Sequence, residues 1–441
     1  MAKRRVRIPL NVFLNGRLVG RLQRETSGAI DFCYDPSWLD WRHALPVSLS
    51  LPLREDRYIG DPVIAVFDNL LPDNDAMRKN LAERVKAKGN DAYSLLAAIG
   101  RDCVGALQFL PDGIAPGPAG TISGRPASDA KIGQMVQNLS SAPLGVDEDA
   151  EFRISLAGTQ EKTALLNWKN KWHIPTGTTA TTHILKPQIG MLANGIDMSQ
   201  SVENEHFCMR LMAELGLPTA KTHIQDFDGT RVLVVERFDR IWTRDKRLIR
   251  RPQEDLCQAL SVPPARKYQF DGGPGMSHVL DILKGSDNPD ADQKLFLKAQ
   301  IIFWLIGATD GHAKNFSLYL APGGRFSMAP LYDVLSAQPN MDAGQIRRNQ
   351  MKLALSVGDN RHYIMEQIMP RHFYQTAKRC GIAESMITGI LTELLEAMPE
   401  ALGKTSAAMP AGFPKKMAAS IKAATVARLE SVDRAVNQET P

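Results

Sequence analysis

The 441-residue sequence predicts an α+β protein with a β-rich N-terminal module, a middle region of short strands and a mostly helical C-terminal half. Three observations predict it. The chain is too long for one compact core, so two or three domains are expected. Alternating apolar residues flank an Asn-Gly pair near the N-terminus, and short apolar runs recur up to about residue 240. Beyond about residue 250 the apolar spacing becomes helical.

The elements follow in order. "VRIPLNVFLNGRLVGRLQR" reads as a hairpin turning at Asn15-Gly16. Helices are expected around Val63–Leu70 and Asp75–Ala87, and "GALQFLP" at 105–111 as a closing strand, so the first module spans 1–112. Residues 113–150, rich in Pro, Gly and Ser, read as a linker with a short helix. Within 151–240, "FRISLAG" and "KTALLNW" read as strands around a small-residue turn, and "THILK" as another. "SVENEHFCMRLMAELGLP" reads as a helix, with Ser199 or Ser201 to cap it and Gly216 and Pro218 to end it. "RVLVVERFDR" is a buried strand running into a polar linker. In 241–441, helices are expected near 253–260, 276–284, 291–306, 371–380, 384–397 and 413–436.

Composition removes several function classes. The net charge of +5 is weak support for a nucleic-acid partner. The five cysteines are scattered, which argues against a disulfide framework or zinc site and fits a reducing cytoplasm. The basic N-terminus lacks the apolar core of a secretory signal. The apolar run Ile301–Ile306 is far too short to cross a bilayer, so a cytoplasmic protein with no membrane partner is expected.

Behind that run stands "DGHAKN". Asp310 and Asn315 have the D-x-x-x-x-N spacing of the protein-kinase catalytic loop, where the Asp takes the substrate hydroxyl proton and the Asn binds Mg²⁺. Asp333, 18 residues beyond Asn315, is placed as a second metal-binding acid. Taken alone, these are common turn residues, and Asp333 could equally be a helix cap. The upstream order decides. "SLAGTQEK" supplies a small-residue phosphate loop, with Ser155, Ala157 and Gly158. Lys186 sits on a strand, Glu203 or Glu205 on the next helix, and "VVERFD" leads into a connector. Loop, Lys, helix acid, hinge, Asp, Asn and metal Asp stand in kinase order, so the fold expectation becomes protein-kinase-like and two-lobed, with ATP as phosphoryl donor and Mg²⁺ as the metal. A P-loop NTPase is excluded because Glu161 precedes Lys162 where Gly is required. A metal hydrolase lacks its second His or Cys ligand.

With "FDNLLPDND", "IGRDCVGAL", "FRISLAGTQEKTALL", "THILK", "SVENEHFC", "VERFDR", "RPQEDLCQ", "YQFDGGPG", "GATDGHAKNFS" and "LYDVLSA" in this order, essentially the whole chain resembles the HipA-type serine/threonine kinases, toxins of bacterial toxin–antitoxin pairs. The resemblance implies Asp310 as catalytic base and Asn315 and Asp333 as Mg²⁺ ligands. It implies Lys186 on the ATP phosphates, and Glu236 and Phe238 on the adenine-contacting linker. It implies His312 and Lys314 as ATP-binding candidates, and which of them touches the γ-phosphate stays open. Ser155 matches the serine such kinases autophosphorylate, which switches the enzyme off; a phosphate there adds up to about two negative charges to a loop that must cradle ATP. The implied partners are a helix-turn-helix antitoxin dimer (HipB-like), operator DNA mainly through that antitoxin, and a protein substrate of the glutamyl-tRNA synthetase kind. The chain departs from ordinary protein kinases at Thr309, where Arg is usual, at "LYD" in place of D-F-G, and at Gly158, the single glycine of the phosphate loop.

Two other functions compete. One is a binding co-repressor with little chemistry, supported by basic residues in "RIWTRDKRLIRR" at 240–251. The other is a small-molecule kinase on the same ATP core.

Overall fold

The computed structural model describes residues 9–25, 28–146 and 152–438. The chain forms two compact units. The first comprises Met1–Pro187, Asp226–Ala265 and Leu318–Phe326; the second comprises Gln188–Gln225, Arg266–Ser317 and Ser327–Pro441.

The first unit opens with a five-stranded antiparallel sheet in the order Tyr58–Ile59, Ile30–Tyr34, Arg17–Arg24, Leu10–Leu14, Leu107–Pro111. Its first hairpin turns at Asn15 (φ 47°) and Gly16 (φ 84°), the paired positive dihedrals that a two-residue turn demands. Phe32, Phe67 and Phe109 meet beneath the sheet, at 5.5 Å between successive ring centroids. Phe67 arrives on the helix Asp61–Asp68, so the predicted helix lies two residues nearer the N-terminus than expected. A second sheet has six strands in the order Thr222–Phe227, Thr230–Glu236, His183–Pro187, Thr163–Trp168, Lys171–Pro175, Gly124–Pro126. The helix in the linker is Asp129–Gln137, capped by the Ser128 hydroxyl, which accepts from Lys131 N at 3.2 Å.

Three local expectations are corrected. "FRISLAG" is extended but not a strand, because Ser155 spends its N–H on the Asp102 carbonyl at 2.9 Å instead of on a ladder. Residues 253–260 begin as a strand, Gln253–Asp255, before one helical turn, Leu256–Ala259, for which Asp255 is the cap. Neither Ser199 nor Ser201 caps the helix Ser201–Glu214. The Gln188 Oε1 does that work, accepting from Val202 N at 2.9 Å and from the Ser201 hydroxyl at 3.2 Å.

The second unit is mostly helical: Ser201–Glu214, Met276–Leu283, Pro289–Ile306, Pro370–Arg379, Glu384–Ala407 and Lys415–Gln438. Every side chain from Phe296 to Ile306 is buried, the polar Lys298 and Gln300 included. Its buried Lys298 is neutralised locally, donating to the Leu215 carbonyl and to Glu393, both at 2.6 Å. Gly307 ends this helix in the left-handed conformation (φ 75°), which only glycine enters without cost. No helix among the described residues is long and apolar enough to cross a membrane.

Candidate active site

The residues singled out by the sequence fall into two sets, one on each unit. On the second unit, the buried helix ends at Gly307 and the chain leaves as an extended segment followed by the single turn Ala313–Asn315. This loop is held by its own backbone. His312 N donates to the Asp310 carbonyl at 2.8 Å, and Asn315 N donates to the His312 carbonyl at 2.9 Å. The Asn315 side chain donates through Nδ2 to the same Asp310 carbonyl at 2.7 Å. Its amide oxygen is thereby left as the acceptor. The Asp310 side chain is 51% exposed, whereas His312 is 3% exposed. An accessible carboxylate thus sits beside a buried imidazole, at 3.8 Å from Nε2. Burial lowers the His312 pKa, partly offset by Asp310 and Asp333. Lys314 is buried too.

Asp333 returns after the hairpin Ser317–Ala321 and Arg325–Met328, whose turn is Pro322–Gly324. It adopts a positive φ of 61°, a left-handed conformation that Asp enters more readily than most residues other than Gly. Its neighbour Tyr332 ties this segment to the catalytic-loop candidate. The Tyr332 hydroxyl donates to the Lys314 carbonyl at 2.9 Å and shares a bond of 2.7 Å with the Ser317 hydroxyl. Asp333 is therefore fastened to the end of the Asp310–Asn315 loop. Asp333 and Asn315 offer oxygen donors, the ligand type Mg²⁺ takes while keeping waters and substrate phosphates for its remaining positions. Among the described residues no group of three or more His, Cys, Asp or Glu side chains could hold a metal alone. This donor set fits a metal that arrives with a phosphate.

On the first unit, Ser155 is fully buried, and its hydroxyl donates to the Leu70 carbonyl at 2.7 Å. Three residues on, Gly158 bridges to Pro72, and its carbonyl accepts from Asp73 N at 3.1 Å. The "LLPDND" segment of the N-terminal module therefore clamps the small-residue loop. Sequence reasoning missed this because 85 residues separate Leu70 from Ser155. Lys162 crosses the loop, donating to the Ala157 carbonyl at 2.8 Å. Gly158 has φ 105°, and a Cβ there would lie 2.5 Å from Lys162 Nζ. Gly158→Ala is expected to cost about 1–3 kcal/mol, seen as a lower urea midpoint for the first unit. An unchanged midpoint would contradict this account of the loop.

Lys186 lies on the strand His183–Pro187, opposite Leu233, with its side chain 6% exposed. The adjacent strand ends at Glu236, which is exposed, and the chain then alternates: Arg237 inward, Phe238 half-buried, Asp239 inward. Phe238 packs edge-on against Tyr319 at 6.0 Å, and its carbonyl accepts from the Tyr319 hydroxyl at 3.2 Å. The inward residues belong to a buried ionic cluster that the sequence did not reveal. Asp102 pairs with Arg250 at 2.8 Å, Arg240 at 2.9 Å and Arg237 at 3.5 Å, while Asp239 pairs with Arg237 at 2.7 Å and Arg240 at 2.9 Å. The cluster fixes the connector so that Glu236 faces outward. Glu203 and Glu205 are both buried on the second unit, and Glu203 accepts from Gln188 Nε2 at 2.7 Å.

A β-rich part bearing a strand lysine and a connector, with a helical part bearing an Asp–Asn loop and a returning Asp, is a protein-kinase-like fold. Comparison with known proteins narrows it. Residues 10–110 match the family model of the HipA N-terminal domain, and residues 154–402 match the HipA-like C-terminal domain. The candidate kinase Y4mE of Sinorhizobium fredii is 35% identical over 90% of this chain and 91% of its own. The serine/threonine-protein kinase toxin HipA of Shewanella oneidensis is 27% identical over 91% of this chain and 90% of its own. The solved complex of Shewanella oneidensis HipA, HipB and operator DNA contains a chain with a TM-score of 0.81 and 24% identity, covering 97% of this chain and 99% of that one. The chain belongs to the HipA family of kinase toxins.

Proposed function

We propose that this protein is an ATP- and Mg²⁺-dependent serine/threonine kinase that arrests growth by phosphorylating a component of translation, with an aminoacyl-tRNA synthetase of the glutamyl type as its target. The observation that carries the reading is the Asp310–Asn315 loop, with its carboxylate accessible and its backbone internally tied. Asp310 accepts the proton of the substrate hydroxyl as that oxygen attacks the γ-phosphorus and ADP departs. Asn315 and Asp333 would hold Mg²⁺, which when bound neutralises charge on the phosphate oxygens. The family resemblance assigns Lys186 to the ATP phosphates, Glu236 and Phe238 to the adenine, and His312 and Lys314 as further ATP-binding candidates. Purified protein with labelled ATP and Mg²⁺ should label the synthetase in a bacterial lysate, and label should be absent without Mg²⁺. Label in a metabolite and in no protein would instead establish a small-molecule kinase.

The reading extends to self-inactivation at Ser155. Its hydroxyl is buried against the Leu70 carbonyl, and a phosphate there would set an anion against a carbonyl oxygen in a buried site. The loop must leave that position once modified. Ser155→Glu is accordingly expected to weaken ATP binding by about tenfold or more, since each 1.4 kcal/mol lost is a factor of ten. Titration with a fluorescent ATP analogue would reveal an unaltered Kd if the loop tolerates the charge.

A co-repressor role beside kinase action is favoured by one observation, the similarity to a HipA chain solved with HipB and operator DNA. The proposed partner is a helix-turn-helix antitoxin dimer that carries most of the DNA contact. The basic stretch 240–251 supports direct contact less than its composition suggests. Arg240 and Arg250 are buried on Asp102, and Arg251 lies 3.3 Å over the Tyr319 ring, so the exposed charges are Arg244, Lys246 and Arg247 at a hairpin tip that also holds Asp245. If that tip touches DNA, replacing its three basic residues by Ala should flatten the salt dependence of operator binding by the antitoxin complex. An unchanged slope would assign the DNA contact to other surfaces.

A further inference from the structure

We propose that Tyr268 is a positioning residue for the catalytic carboxylate: its hydroxyl holds Asp310 Oδ1 and leaves Oδ2 for the substrate hydroxyl. This rests on the proposed role of Asp310 as general base. The Tyr268 hydroxyl donates to Asp310 Oδ1, 42 residues away in sequence. Asp310 is otherwise half-exposed, on a loop whose His312 N and Asn315 Nδ2 ties run to the Asp310 backbone carbonyl. A carboxylate so placed rotates about two side-chain bonds, and in-line attack needs one oxygen in a defined place to within fractions of an ångström.

The tyrosine itself is built in. Its ring meets the buried His312 edge-on at 4.8 Å and stacks on Phe270 at 5.2 Å. Its carbonyl accepts from Gly273 N at 3.0 Å and from Asp271 N at 3.2 Å, closing a tight turn. A Cβ on Gly273 would lie 2.0 Å from the Arg266 carbonyl and 2.6 Å from that of Tyr268, so the turn closes only with glycine there. Next along, the Gln269 Oε1 accepts from Ser356 N at 2.7 Å and from the Ser356 hydroxyl at 3.1 Å, pinning the turn to the strand Lys352–Val357. A side chain this firmly anchored is suited to orient the base, and less suited to act as a mobile plug that substrate must displace. His312 completes the support. It is 3% exposed, and its ring forms the wall against which both Tyr268 and Asp310 rest.

Tyr268→Phe tests this, because the ring contacts to His312 and Phe270 remain and only the hydroxyl is lost. Rates are read well below the thermal midpoint of each variant. Steady-state transfer to the protein substrate should show kcat reduced about ten- to a hundredfold, the worth of one hydrogen bond to a charged group. KM for ATP and the thermal midpoint should stay unchanged. In an Asp310→Asn background the same change should have little further effect, since both act through one carboxylate. An unchanged or raised kcat in Tyr268→Phe, or an effect confined to KM for ATP, overturns the proposal while leaving the kinase reading intact. Wild-type transfer that survives Asp310→Asn overturns the role of Asp310, and with it this inference.

Discussion

Asp310→Asn should lower kcat for phosphoryl transfer by about 10²–10⁴-fold with the fold intact. The substitution is nearly isosteric and removes the basic oxygen without removing an acceptor for Tyr268. The loop does not depend on the carboxylate. Its ties run from His312 N and Asn315 Nδ2 to the Asp310 carbonyl, which the substitution keeps. The side chain is 51% exposed, so exchanging a solvated charge for an amide costs little stability. Single-turnover transfer from labelled ATP, with circular dichroism and thermal melting alongside, separates the two quantities. A rate within tenfold of wild type would remove Asp310 from the chemistry. A large fall in melting temperature would mean the loop is held differently from this account.

Asp102→Asn should unfold the first unit far more readily, by about 3–5 kcal/mol, the cost of removing one partner from a buried ionic cluster. Asp102 and Asp239 face three guanidinium groups, all of them buried. Removing one carboxylate leaves two positive charges in excess in a site that excludes water. The pH dependence follows from the same cluster. Burial alone would raise the Asp102 carboxyl, but Arg240, Arg250 and Arg237 outweigh it and hold it well below the usual carboxylate range. Asp239 is shifted the same way, burial again being outweighed by Arg237 and Arg240. A carboxylate whose folded pKa is depressed stabilises the fold above its unfolded pKa, near about 4. That contribution disappears as pH falls through the folded value. Wild-type stability should therefore drop steeply below about pH 4, and Asp102→Asn should begin lower at neutral pH and fall less over that range. Urea titrations of both proteins across acid pH check this. Parallel curves would show that Asp102 carries no such linkage.

The cluster also explains why this unit needed more than its sequence pattern. Its members stand at positions 102, 237, 239, 240 and 250, and nothing in their local spacing marks them as neighbours. The motif "VERFDR" was legible as the end of a strand, yet which of its side chains face inward was not. "FRISLAG" was legible as apolar and extended. Its failure to join a sheet came from Ser155, which bonds instead to the Asp102 and Leu70 carbonyls. In the same way the start of the helix Ser201–Glu214 looked like a serine cap, and a glutamine from before the helix took the role. Tyr268 stands inside the motif "YQFDGGPG" with no role legible locally, because its partner lies 42 residues on.

The sequence by itself determined what is local. Asp310 and Asn315 are five apart on one turn, Gly307 stops an apolar helix just before them, and Pro322–Gly324 returns Asp333 through a short hairpin. Such features follow from backbone conformation and spacing over a few residues, so a kinase-like, two-part α+β chain could be read from them directly. Only the tertiary structure decided which groups hold those residues in place: Leu70 under Ser155, Asp102 among three arginines, Tyr268 on Asp310. These are contacts between segments far apart in the chain. Their formation depends on how sheets and helices pack, and packing places buried charges and hydroxyls beside partners that no short-range pattern encodes.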